Sequence, residues 1–174
     1  MKSRLTIKDM TYIALMTVVI TLCSWISVPS PVPFTMQTFA VFCALLLLGG
    51  KRGTLSVALY ILLGAFGLPV FSGFKGGIGA LLGPTGGYIL GFLLCALLYL
   101  LLEGKIKDIV LLIIGNLLCY LFGTVWFVYV YSSGGKPITF GAALMLCVVP
   151  YLIPDAIKML LAFVVSRRVK KLIP

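Results

Sequence analysis

Histidine is absent from this chain, and its 174 residues hold only four acidic side chains. General acid–base catalysis draws on His, Asp and Glu before other residues. An enzyme therefore has almost no candidate groups here, and the chain reads as a non-enzyme. Cys-x-x-Cys is missing too. Cys23, Cys43, Cys95, Cys119 and Cys147 lie far apart inside apolar runs. Without histidine they make no zinc-type ligand set, so no metal or cofactor is expected and all five read as small hydrophobes. No G-x-x-x-x-G-K-[ST] occurs, which excludes a phosphate loop of the chain's own. Charge is scarce as well: 10% of residues are charged, against about 25% in soluble domains. So few charges do not cover a globule of this size in water, and the natural solvent is a bilayer.

What is abundant is apolar sequence, 61% of the chain. Runs interrupted by short polar breaks place spans near residues 11–28, 34–48, 54–71, 87–102, 109–131 and 154–172. A helix needs roughly 17–25 residues to cross hydrocarbon, so the second and fourth runs are short and are completed by adjoining loop residues. Residues 138–149 form a further apolar stretch, too short to span alone, and read as part of the connection into the last helix. The expectation is an all-α integral membrane protein: one membrane domain over residues 1–174 with six transmembrane helices. Lys2, Arg4 and Lys8 precede the first run as in a signal peptide, but the run is long and no A-x-A-like site follows. It is read as a retained helix.

Basic residues give an independent test of the count. With six spans and both termini cytoplasmic, the inner set is Lys2, Arg4, Lys8, Lys51, Arg52, Lys105, Lys107, Arg167, Arg168, Lys170 and Lys171, leaving Lys75 and Lys136 outside. Eleven against two follows the positive-inside rule. The net charge of +10 is then a matter of topology and of contact with anionic lipid. Nucleic-acid binding is excluded, because no contiguous basic face tracks phosphates.

Three segments break the rules of a membrane helix, and all three fall at outer connections. In residues 27–37, Pro29, Pro31 and Pro33 fix φ and remove donors, holding extended chain up to the amide of Gln37. In residues 73–87, seven of fifteen positions are glycine. Glycine lets backbone approach a ligand closely, and such backbone at membrane depth is tolerated only where it is buried or lines a cavity. That segment carries Gly76, Gly77 and one outer cation, Lys75. The third segment, Val149 to Pro154, leads into Asp155. Asp155 and Lys158 lie i, i+3 on one helical face in an apolar run where each charge costs about 2.5–3.5 kcal/mol on insertion scales. The alternatives are a ligand site, a pair that only locks packing, or two groups reaching out to a membrane surface. Convergence of three irregular segments on one mouth favours irregular outer loops forming a ligand pocket.

Elsewhere, Ala14, Thr17, Thr21 and Ser24 make a small-residue stripe on the first helix, of the kind that permits close packing in lipid. Whether an internal helix or another subunit covers it is open. Trp126 reads as an interface anchor, and Asn116 as a bond to a neighbouring helix.

Read together, Pro31-Val-Pro-Phe-Thr-Met-Gln-Thr38, Gly67-Leu-Pro-Val-Phe71 with its following glycines, Gly83-Pro-Thr-Gly-Gly-Tyr88 and Pro154-Asp-x-x-Lys158 resemble the signatures of the bacterial biotin-transport family BioY, from about Thr11 to Lys171. The resemblance implies a six-helix substrate-binding subunit (S-component) of an energy-coupling-factor transporter in the bacterial plasma membrane. Such a subunit captures biotin outside and works with a transmembrane coupling protein and two cytoplasmic ATPases. It maps Asp155 and Lys158 onto the family's ligand-binding Asp and Lys, and residues 73–77 onto its substrate-covering loop. It maps the docking face for the coupling protein onto the first helix. There Thr17 and Thr21, beside Ala14, stand where members carry alanines. Ile89 stands where some relatives have a basic residue.

Biotin's chemistry fits these residues. Asp155 accepts from a ureido N–H, and Lys158 or Lys75 serves the ureido oxygen or the carboxylate. Tyr88, Phe34 and Phe74 cover the apolar rings. The alternative function is a stand-alone biotin facilitator or proton-coupled carrier acting as an oligomer, in which Asp155 titrates.

Overall fold

A computed structural model describes residues 5–30, 32–135 and 137–172. Lys2, Arg4, Pro31 and Lys136, on which parts of the charge and proline readings rest, lie outside the described residues. Helix dominates the rest. In chain order come α1 (Ile7–Trp25), a short antiparallel pair of β1 (Ser27–Val28) and β2 (Phe34–Thr35), α2 (Gln37–Ala65), α3 (Ile78–Leu82), α4 (Gly86–Leu102) and α5 (Asp108–Ser133). Then follow α6 (Phe140–Cys147), a 3-10 turn (Val149–Tyr151) and α7 (Leu152–Leu172). Four helical stretches are long and apolar enough to cross a membrane: α1, α2, α5 and the run through α6 into α7. α4, with 17 residues, is a shorter apolar helix.

α1 starts where the sequence offers a capping box. Thr6 Oγ1 accepts from the Asp9 N–H, and Asp9 Oδ2 accepts from the Thr6 N–H, satisfying two donors that a helix start leaves orphaned. α2 hides a reversal. Gly49 has φ 77° and ψ 173°, outside the helical region and on the left-handed side that glycine tolerates. A Cβ on Gly53 would lie 2.9 Å from both Ala44 O and Leu45 Cα. Residues eight positions apart in a straight helix are about 12 Å apart, so the two arms fold back on each other. The break at Gly49 replaces the expected loop over residues 49–53, and Lys51 and Arg52 sit in the second arm. Glu103 Oε2 accepts from the Gly50 N–H at 2.9 Å, which caps that arm with a side chain from the end of α4. α1, the two arms of α2, α4, α5 and α7 make six apolar rods, the number expected.

The core is built around α2. Val41, Phe42, Leu45 and Tyr60 are buried with Ile20 of α1, Tyr99 of α4 and Leu111 of α5. α4 and α5 meet through glycine: Gly91 faces Cys119, Gly115 faces Cys95, and Gly123 faces the ring of Tyr88, each at a distance that leaves no room for a Cβ.

The small-residue stripe of α1 requires a correction. Thr17 and Thr21 are buried, and Thr17 Oγ1 donates both to Ile13 O and to Ser56 O on α2, at 2.9 and 3.2 Å. This face is consumed by internal packing and is not free to dock a partner. Ala14 lies off it, exposed beside Leu15, Val18 and Leu22. The physical reason is that a hydroxyl in apolar surroundings needs an acceptor, which the adjacent α2 backbone provides.

An Arg52–Asp9 ion pair at 2.9 Å and the Glu103–Gly50 bond gather the start of α1, the turn of α2 and the end of α4 at one end of the bundle. The β-pair, residues 71–85 and the α6–α7 turn gather at the other.

Candidate functional site

At that other end lies a cavity of about 620 Å³ lined by residues of all three irregular segments together with α4, α5 and α7. The glycine-rich segment is ordered. Phe71 and Lys75 form a β-bridge, and α3 gives the segment one short helix. Gly76 tolerates no side chain, since a Cβ there would lie 2.3 Å from Leu68 O. Trp126 of α5 donates its indole N–H to Gly83 O at 3.0 Å. The residue read as an interface anchor thus ties the glycine segment to the bundle.

Asp155 lies in the first turn of α7, and Lys158 follows one turn on. Both are buried, at 5% and 4% exposure. Their contact is direct: Lys158 Nζ donates to Asp155 Oδ1 at 2.8 Å. Two further groups complete the arrangement. Tyr120 of α5 donates its hydroxyl to Asp155 Oδ2 at 2.5 Å, and the Lys158 ammonium lies 3.9 Å from the centre of the Phe34 ring on β2. A charge pair in apolar surroundings persists only with such extra partners. Within the pair the charges cancel, so the buried end of the cavity is polar and electrically neutral.

The cavity wall contains Asp155, Lys158, Lys75, Gln37, Gly76 and Tyr88. Phe34 borders it through its contact with Lys158. Gly77 and Phe74 are not part of the wall. Gly77 precedes α3 and donates its N–H to Gly64 O. Phe74 is 64% exposed and packs on Trp25, ring centres 4.9 Å apart. Its φ of 58° turns the side chain out of the loop that carries Lys75. Lys75 itself is exposed at the rim.

Sequence reasoning passed over several wall residues. Tyr120 of α5 lines the cavity, and so, one turn earlier, does Asn116, which the sequence suggests only as a bond to a neighbouring helix. Tyr151, in the turn before α7, donates its hydroxyl to Val32 O and contacts Ser30 Oγ at 2.9 Å, fastening the proline segment over the site. Tyr88 is held by a hydroxyl contact to Thr124 at 3.0 Å. The available signal was the spacing Asn116, Tyr120, Thr124: three polar tips at i, i+4, i+8 on an otherwise apolar helix.

Comparison with known proteins gives a consistent result. A family model described as the BioY family matches residues 1–174. The probable biotin transporter BioY of Pyrococcus horikoshii is 38% identical over 164 residues, 94% of this chain and 96% of that protein. The biotin transporter BioY of Thermotoga maritima is 41% identical over 161 residues, 90% of this chain and 92% of that one. Among solved structures, the S-component for biotin from an ECF-type ABC transporter superposes with a TM-score of 0.81 at 29% identity, covering 95% of this chain and 92% of that one. These relatives are named as transporters, and their membrane character agrees with the long apolar helices found here.

Proposed function

The chain belongs to the BioY family, and from that membership we propose that it is the membrane-embedded, high-affinity biotin-binding subunit of an energy-coupling-factor transporter, taking up biotin from outside the cell. It is a transport protein and not an enzyme. The observation that carries the reading is the neutral Asp155–Lys158 pair buried at the end of a cavity of about 620 Å³, within the roughly 300–1,000 Å³ of small-molecule pockets.

Biotin has a neutral cyclic urea at one end and a carboxylate at the other. The urea suits the buried pair, with an N–H donating to Asp155 and the carbonyl oxygen accepting from Lys158. The carboxylate suits Lys75. Lys75 takes part in neither the Arg52–Asp9 nor the Lys158–Asp155 ion pair. Tyr88 and Gln37 line the space between, and Gly76 brings backbone close to it.

On this reading the cavity end faces outward and the basic end, with both termini, lies in the cytoplasm of a bacterial cell whose plasma membrane holds the chain as one domain. The positive-inside rule supports that orientation. With no phosphate loop of its own, the chain depends on a transmembrane coupling protein and two ATPase subunits for energy. The free face of α1 at Ala14, Leu15 and Val18 takes the docking role that Thr17 and Thr21 do not.

Titration calorimetry of the detergent-purified chain with biotin, using thiamine and riboflavin as controls, tests the ligand. Binding of biotin alone is expected, and binding of either control in its place would overturn the assignment. Uptake of labelled biotin into proteoliposomes with and without the ATPase module tests the energy source. Full uptake without the module would mark a stand-alone facilitator.

A further inference from the structure

Tyr120, on α5, partners the charge pair, and its hydroxyl bond to Asp155 is short at 2.5 Å. The carboxylate is thereby held from two sides, Oδ1 by Lys158 on its own helix and Oδ2 by Tyr120 across the helix interface. An ionised carboxylate has about four acceptor sites, so two partners leave capacity for a ligand while removing the freedom to rotate. Tyr120 is buried at 8% exposure, and its ring packs in the cluster with Tyr88, Cys119 and Cys147. The hydroxyl is thus placed by a packed ring and not by a mobile chain. Asn116, one turn earlier, lines the same wall.

We propose that Tyr120 is a positioning residue for ligand recognition: its hydroxyl bond locks the Asp155 carboxylate in the orientation that receives a ureido N–H. This rests on the biotin-binding reading above and deepens it. A ligand that finds its acceptor already oriented is spared the cost of ordering that side chain on binding. The contact also makes recognition depend on the register of α5 against α7. The two helices otherwise approach each other through the turn and α6 at this end.

The test is a double-mutant cycle in the full-length purified protein. Tyr120→Phe deletes one oxygen and keeps the ring. Calorimetric titration with biotin should show Tyr120→Phe weakening affinity by about 10- to 100-fold, as for loss of a hydrogen bond to a charged group. In an Asp155→Asn background the same change should cost less than about twofold, because residues acting through one another are non-additive. Ligand-free unfolding temperature, measured in parallel, reports whether each variant is folded. A structural role alone would give equal costs in both backgrounds. Equal costs, or an unchanged affinity in Tyr120→Phe, would overturn the assignment of Tyr120 alone. Absence of biotin binding in the wild-type protein would overturn the ligand reading and this inference together.

Discussion

The ammonium of Lys158 lies 3.9 Å from the centre of the Phe34 ring while it donates to Asp155 at 2.8 Å. One cation therefore connects the proline-rich segment, through β2, to the last helix. A cation over an aromatic face is worth about 2 kcal/mol when desolvated. Phe34→Leu keeps apolar volume and removes the ring face, so biotin affinity should fall by about 10- to 30-fold. Calorimetric titration checks this, and an affinity equal to wild type would show that the ring contributes packing only.

The charge pair should behave asymmetrically under mutation. Removing one member strands the other in apolar surroundings and costs about 3–5 kcal/mol, whereas replacing both with apolar residues of similar volume is often neutral. Asp155→Asn and Lys158→Ala should each lower the unfolding temperature of the ligand-free protein more than the double variant Asp155→Leu, Lys158→Met. Biotin affinity should fall by a large factor but stay measurable in the two single variants, and binding should be lost in the double variant. A double variant less stable than either single one would mean that the pair is held for packing.

Lys75 stands at the exposed rim, where an ion pair is worth about 0–1 kcal/mol. Lys75→Ala should weaken biotin by up to about fivefold without altering the unfolding temperature. The affinity for biotinamide, which lacks the carboxylate, should be the same in variant and wild type. Competition binding with the two ligands measures the difference, and equal loss for both would detach Lys75 from the carboxylate.

The α4–α5 contact should be intolerant of one methyl group. A Cβ on Gly123 would lie 2.2 Å from the Tyr88 ring, and Tyr88 forms part of the cavity wall. Gly123→Ala should cost about 1–3 kcal/mol by overpacking and should weaken biotin binding by displacing that ring. Gly141, in α6, has nothing within 4 Å of its Cβ position. Gly141→Ala should be neutral or stabilising by about 0.4–1 kcal/mol. Thermal unfolding of the two variants in detergent provides the comparison.

Much of the architecture was legible because it follows from local rules. Apolar run lengths marked the rods, and glycines and prolines marked where helix stops. The i, i+3 spacing of Asp155 and Lys158 was enough to anticipate their contact, since both sit on one helix. Legibility failed where the deciding partner lies far away in sequence. Thr17 and Thr21 looked like a docking stripe because small residues at helical spacing serve internal and external packing equally well. The backbone oxygen of Ser56, 39 residues away, decides between the two. Phe74 looked like a lid aromatic, yet its left-handed backbone and the proximity of Trp25 carry it outward.

The sequence by itself determined the solvent, the number of rods and the identity of the buried charges, because hydrophobic run length and the cost of an ion in hydrocarbon are properties of the chain alone. Only the tertiary structure decided which groups surround those charges. Tyr120 from α5, Phe34 from β2 and the pair from α7 are brought together by helix packing. The distances that make a neutral polar pocket out of them depend on how closely glycine-lined helices can approach.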